Sequence, residues 1–173
     1  MSSLVKQILV KWRVSDGRLF ELIYEGEDED LFNDHKILDP YPRPLAMVEV
    51  FLRLDDATKI VLPVDEIPHI LPDRTGVLVI FDRNRPSAEG LLYCPPPNNA
   101  AIFNADGSIR FQLQNPFGAV GNFRAALHNR LANGVVELGV RVCPSDYPAC
   151  ETVYTVDGST PDLIKQLPRW VRD

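Results

Sequence analysis

Ala125-Ala126-Leu127-His128-Asn129-Arg130-Leu131-Ala132-Asn133-Gly134-Val135-Val136-Glu137-Leu138-Gly139-Val140-Arg141-Val142 carries the strongest fold signal in the chain. Asn-Gly tolerates positive φ at both centres of a two-residue hairpin turn. Folding about Asn133-Gly134 pairs Ala132 with Val135. Leu131 then faces Val136, Asn129 faces Leu138, Leu127 faces Val140 and Ala125 faces Val142 on one side of the ribbon. On the other side Arg130 meets Glu137, an opposite-charge pair worth about 0.2–1 kcal/mol. A helix through Phe123, Leu127 and Leu131, capped by Asn133-Gly134, also satisfies the spacing. The hairpin is favoured because it accounts for both flanks at once.

A second turn type recurs at Ser15-Asp16-Gly17-Arg18, Ala105-Asp106-Gly107-Ser108 and Val156-Asp157-Gly158-Ser159. Each suits a three-residue hairpin loop, a type I turn closed by Gly in the left-handed region. The first pairs Trp12 with Phe20, Val10 with Leu22 and Ile8 with Tyr24, and sets Lys11 against Glu21 on the opposite face. The second pairs Phe103 with Ile109 and Ala101 with Phe111. The uneven spacing of the three turns excludes a blade or solenoid repeat.

Ala46–Leu54, Lys59–Leu62, Gly76–Asp82 and Gly90–Cys94 read as further strands from β-branched content or alternation. Val64–Leu71 is ambiguous, a short helical turn being one option, because Pro68 fits neither a ladder nor a long helix. Pro40-Tyr41-Pro42-Arg43-Pro44 and Pro95-Pro96-Pro97 read as stiff connectors. Thr160–Leu167 is the one helical candidate, with Pro161 at its first position and Asp162 in its first turn. Roughly nine to eleven strands with little helix give an all-β chain. The expected form is an antiparallel meander of hairpins, sheet or barrel-like, in a single β-rich domain over residues 1–173.

The 173 residues suit one domain, enough to bury roughly 70 % of the unfolded surface. With 45 % apolar and 24 % charged residues, the chain is neither disordered nor collagen-like. It holds no apolar run of the length a membrane span requires. Met1–Val14 mixes Lys6, Gln7, Lys11 and Arg13 into its apolar residues, unlike a secretory signal. A pI of about 5.1 argues against a nucleic-acid footprint. The three cysteines, Cys94, Cys143 and Cys150, read as reduced thiols in a cytoplasmic protein. A bridge across the loop between Cys143 and Cys150 is the alternative in an oxidising compartment. His35, His69 and His128 are far apart along the chain, and no cysteine pair has zinc-ligand spacing. No metal site and no cofactor are therefore expected.

Metalloprotease, phosphate-loop, dinucleotide and nucleophile-elbow patterns are absent from the sequence, so no catalytic residue is assigned. Gly118-Ala119-Val120-Gly121 follows Pro116-Phe117 and lacks a basic residue for phosphate. Asp55-Asp56 reads as a solvated turn. The charge distribution is the anomaly. Glu25, Glu27, Asp28, Glu29, Asp30 and Asp34 fall within ten residues that contain no Lys or Arg. These six acids account for the whole net charge of −6, since the other 18 acids are matched by 18 Lys and Arg. Asp28 and Asp30 alternate as calcium ligands do, but the turn Gly and twelfth-position Glu of a calcium loop are missing. A solvated loop would have this composition. So would a docking patch for a basic partner, with Leu31 and Phe32 as apolar anchors inside a steering rim. The candidate partner-binding residues are Glu25, Glu27, Asp28, Glu29, Asp30, Leu31, Phe32 and Asp34.

The run Ala101-Ile102-Phe103-Asn104-Ala105-Asp106-Gly107-Ser108-Ile109-Arg110-Phe111, followed by Asn115-Pro116, resembles segments of small immunity proteins encoded beside bacterial polymorphic toxins. That resemblance implies a non-catalytic cytoplasmic inhibitor that binds and blocks one cognate toxin. It carries over no binding residue, because that group shares no binding motif. The expected function is thus protein binding, to a basic toxin domain and not to nucleic acid or membrane. A small-molecule-binding β-barrel is the alternative, with Trp12, Phe20, Phe103 and Phe111 around a pocket.

Overall fold

The computed structural model describes residues 3–26, 44–84, 88–130, 135–144, 152–163 and 165–166. Twelve strands form among them: β1 (Val5–Val14), β2 (Leu19–Gly26), β3 (Pro44–Leu54), β4 (Lys59–Leu62), β5 (His69–Ile70), β6 (Gly76–Ile80), β7 (Ala100–Asn104), β8 (Ile109–Gln112), β9 (Asn122–Arg130), β10 (Val136–Cys143), β11 (Thr152–Thr155) and β12 (Lys165–Gln166). They make three open four-stranded sheets, ordered β2-β1-β3-β4, β5-β6-β7-β8 and β12-β11-β10-β9. Every ladder is antiparallel, and no helix occurs among the described residues. The fold is all-β, and among the described residues its ladders form open sheets.

Two of the Asp-Gly turns form as their chemistry requires. Gly17 and Gly107 both sit at φ 83°, and their N–H groups donate back to Val14 and Asn104. In each turn the Asp side chain accepts the N–H two residues on, Asp16 from Arg18 and Asp106 from Ser108. The β3–β4 turn repeats this arrangement without glycine: Ala57 occupies the left-handed position at φ 67°, and Asp56 accepts from Thr58. Asp55 and Asp56 therefore serve the turn, with Asp55 also accepting the Leu4 N–H.

The registers follow the expectation up to a bulge in each hairpin. Trp12 pairs with Phe20, Lys11 with Glu21 and Val10 with Leu22; the ladder then slips, so Ile8 meets Glu25 in place of Tyr24. Phe103 pairs with Ile109, after which Phe111 lies opposite Ile102 and not Ala101. Asn133-Gly134 lies outside the described residues, but β9 and β10 do pair antiparallel, which excludes the helix through Phe123 and Leu127. Their register differs by one residue from that expected: Arg130 pairs with Val136, His128 with Leu138 and Ala126 with Val140. A further slip then sets Phe123 opposite Val142. A one-residue shift exchanges the faces of a strand, so His128 and Ala126 lie opposite Leu138 and Val140. It is the further slip, past Arg124, that returns the large Phe123 to the core with Leu138, Val140 and Val142.

The three sheets stack as layers, with β5-β6-β7-β8 in the middle. Val77, Val79, Ala101 and Phe103 pack one of its faces against Val5, Ile8, Val10, Val50 and Leu52 of the first sheet. Leu78, Ala100 and Ile102 pack the other face against Phe123, Leu138, Val140 and Val142 of the third. Strands covered on both faces need no polar alternation, and β6 (GVLVI) and β7 (AAIFN) are apolar throughout apart from their terminal Gly76 and Asn104. Buried Asn99 joins the middle and third layers by donating to the Phe81 and Phe123 carbonyls and accepting the Phe123 N–H. Arg110 joins the same layers at the far end, donating to Asn104, Thr75 and the Gly158 carbonyl.

Other expectations are corrected. Gly90–Cys94 forms no strand; Leu92 donates to the Pro63 carbonyl, and Tyr93 packs edge-on against Phe81. Val64–Leu71 holds no helical turn, only the short strand β5. Within Thr160–Leu167, Lys165 and Gln166 pair with β11 instead of coiling into a helix. Val156-Asp157-Gly158-Ser159 does not close a tight hairpin, although Asp157 does accept the Ser159 N–H. Pro161 has no N–H for a ladder, and among the described residues pairing is next seen at Lys165. The four aromatics proposed to ring one pocket are divided. Phe103 lies in the core between the first two sheets, with Trp12 against it, whereas Phe111 packs against the second core.

Candidate functional site

Each sheet contributes one edge strand to a single cluster. Glu25 comes from β2, His69 from β5 and His128 from β9. The bulge in the first hairpin places Glu25. Without it, Glu25 would pair with Gln7; with it, Glu25 lies opposite Ile8, a residue of the first core. Bulges commonly re-aim a side chain in this way. Gly26, next in the chain, approaches β1 so closely that a Cβ would lie 2.5 Å from the Lys6 carbonyl oxygen. His69 stands opposite Leu78 and His128 opposite Leu138, two residues of the second core.

The Glu25 carboxylate lies between the two imidazoles. Oε1 is 3.3 Å from His128 Nε2, and Oε2 is 3.8 Å from His69 Nδ1. The Ile70 backbone N–H donates to Oε1 at 3.2 Å, which fixes the carboxylate on the β5 edge. The imidazole centroids are 5.8 Å apart. Burial holds the His69 pKa below its ordinary value, opposed by the Glu25 carboxylate and reinforced by His128. Its neutral form, with a nitrogen lone pair, is thereby favoured near neutrality. Such a cluster can share a proton or hold a cation.

The wall of an adjacent cavity of about 540 Å³ includes His69. Glu66, Asp82, Arg83 and Arg124 bring both charge signs to it, above an apolar floor of Phe81 and Phe123. Glu66 accepts the Asp82 N–H, so part of this polar rim is engaged in holding the loop after β6.

Of the sequence-derived partner-binding residues, Glu25 is turned into the histidine cluster. Glu27, Asp28, Glu29, Asp30, Leu31, Phe32 and Asp34 lie outside the described residues, as do His35 and Cys150. Cys94 and Cys143 are buried, and burial raises the Cys94 thiol pKa. The expectation of no metal site rested on the separation of the histidines along the chain. In space His69 and His128 meet, a proximity for which no local sequence pattern existed. Comparison with protein-family models, curated proteins and solved structures gave no match.

Proposed function

We propose that the protein is a non-catalytic protein-binding module that docks a basic partner through the acidic stretch Glu25–Asp34, acting in the cytoplasm as an immunity protein that blocks a cognate bacterial toxin. The observation that carries this reading is the location of the whole net charge of −6 in that stretch. Elsewhere charges are balanced locally, as in the Lys11–Glu49 and Lys59–Glu21 pairs on the first sheet. The stretch is also tethered to the first sheet. It begins on β2 where Gly26 pairs beside Gln7, and β3 begins beside Val14, at the other end of β1. Those anchor points are separated by seven residues of β1, roughly 23 Å at about 3.3 Å per residue. Acidic charge tethered to a fixed frame accelerates encounter with a basic surface, and an apolar anchor such as Phe32 slows release. No helix among the described residues is long and apolar enough to cross a membrane.

The test uses whichever product of a neighbouring reading frame co-purifies with the protein. Replacing Glu27, Asp28, Glu29 and Asp30 by Gln and Asn should slow association and flatten its dependence on ionic strength. Phe32→Ala should speed dissociation. Association-rate curves identical to wild type for the neutralised variant would refute the docking role.

A further inference from the structure

We propose that Glu25, His69 and His128 form a binding site for one divalent first-row transition ion, with zinc best matched to the donors, and that the ion ties the three sheets together at their edges. The argument is independent of the partner-binding reading. Two imidazole nitrogens and one carboxylate oxygen suit zinc and its neighbours, whereas magnesium and calcium prefer all-oxygen shells. The spacing agrees. Zinc–nitrogen and zinc–oxygen distances of about 2.0–2.2 Å place tetrahedral donors about 3.4 Å apart. His128 Nε2 and Glu25 Oε1 stand at 3.3 Å and His69 Nδ1 and Glu25 Oε2 at 3.8 Å, with all three donor groups within 4.8 Å. Small side-chain rotations close the remaining gap.

Three features separate this cluster from a chance surface ion pair. The ligands come from three different sheets, so their meeting is a product of the tertiary fold. The carboxylate is oriented by a backbone donor, the Ile70 N–H, in the manner of outer-shell groups that hold metal ligands in place. The side chains retain 32 %, 20 % and 37 % exposure for His69, Glu25 and His128, enough for an ion to enter and for water to complete its coordination. Three protein ligands with an open position match a site that water or a substrate group can complete.

The experiment titrates the metal-free full chain with Zn²⁺ by calorimetry, with Mg²⁺ as control, and records the absorption of the Co²⁺ form. One equivalent of Zn²⁺ should bind while Mg²⁺ does not, and the Co²⁺ spectrum should show nitrogen and oxygen ligation with no thiolate charge-transfer band. Glu25→Gln keeps an acceptor for the Ile70 N–H, and His128→Ala changes a side chain more than one-third exposed, so both variants should fold. Each should weaken Zn²⁺ binding by about tenfold or more. Zn²⁺ should raise the thermal midpoint of the wild type and, at the same concentration, raise that of His128→Ala by clearly less. Absence of Zn²⁺ binding, wild-type affinity in both variants, or a thiolate band in the Co²⁺ form would overturn the proposal.

Discussion

Replacing Asn99 by Ala is expected to be among the most damaging single changes outside the apolar core. Asn99 is wholly buried. Its Nδ2 donates to the Phe81 carbonyl at 2.7 Å and the Phe123 carbonyl at 3.0 Å, and its Oδ1 accepts the Phe123 N–H at 2.8 Å. Truncation leaves one N–H and two carbonyls without these partners in the seam between the middle and third sheets. Each orphaned buried group costs about 1–3 kcal/mol, with carbonyls nearer the lower end, so the total is about 3–5 kcal/mol. Against a domain stability of about 5–15 kcal/mol, that is a large fraction. Urea unfolding followed by tryptophan fluorescence should show the midpoint falling by about 2 M, at a slope of about 2 kcal/mol/M. Asn99→Asp adds a signature in pH. The new carboxylate would face two carbonyl oxygens, which favours its protonated form and raises its folded-state pKa. Its stability is therefore greatest at low pH and declines as pH rises from the unfolded value, about 3.9, towards the raised folded one. A loss below about 1 kcal/mol in Asn99→Ala would show that water re-pairs these groups, and would refute the assigned role.

Arg110→Lys should cost about 2–3 kcal/mol by urea denaturation, because one ammonium cannot replace a guanidinium shared among Asn104, Thr75 and Gly158; a change within about 0.5 kcal/mol would refute this. Gly17→Ala should cost about 1 kcal/mol, since φ is 83° but no atom lies within 4 Å of the new Cβ. Gly107→Ala should cost more at the same φ, because its Cβ would meet Ile60 Cγ2 at 2.9 Å; equal losses on thermal unfolding would contradict that contact. Backbone and side-chain hydrogen bonds from Arg18, Thr58 and Ser159 lower the pKa values of Asp16, Asp56 and Asp157, and those from the Ser108 side chain and backbone lower that of Asp106. Their stabilisation is present above the unfolded pKa and lost as pH falls through the lowered folded values. Carboxyl NMR titrations should find all four below about 3.9, and an unshifted Asp106 would refute the turn assignment.

The parts of the fold legible in the sequence are those fixed by local chemistry. Asp16-Gly17 and Asp106-Gly107 set their turns through a left-handed glycine and a side-chain acceptor, and the adjoining registers follow from alternation. Ala57 performs the same task without glycine, so its turn carried a weaker signal. The bulges were not legible, because which residue is extruded depends on the sheet packed against the ladder. Extrusion near Tyr24 turns Glu25 inward, and the slip at Val142 seats Phe123. The layered arrangement did leave a trace. The apolar runs of β6 and β7 lack the alternation of a half-exposed sheet, which indicates cover on both faces. Asn99 left none, since its Pro95-Pro96-Pro97 neighbourhood reads as a connector and nothing local indicates burial between sheets. The histidine cluster is invisible for the same reason: its members share no periodicity and meet only after three sheets have stacked.

Glu25 belongs both to the acidic stretch and to the histidine cluster, and its geometry assigns it to the cluster. A carboxylate held by the Ile70 N–H between His69 and His128, with only 20 % of its side chain exposed, offers little surface for a basic partner to contact. Steering then falls to Glu27, Asp28, Glu29, Asp30 and Asp34. The two proposals can therefore be separated by substitution. Neutralising Glu27 to Asp30 should lower the salt dependence of association while leaving one equivalent of Zn²⁺ bound. Glu25→Gln should weaken Zn²⁺ while leaving the salt dependence of association near that of the wild type. If Glu25→Gln flattened the association curve as strongly as the fourfold neutralisation, Glu25 would have to reach the partner directly. The inward position given by the Ile8–Glu25 register would then not be the one that acts in recognition.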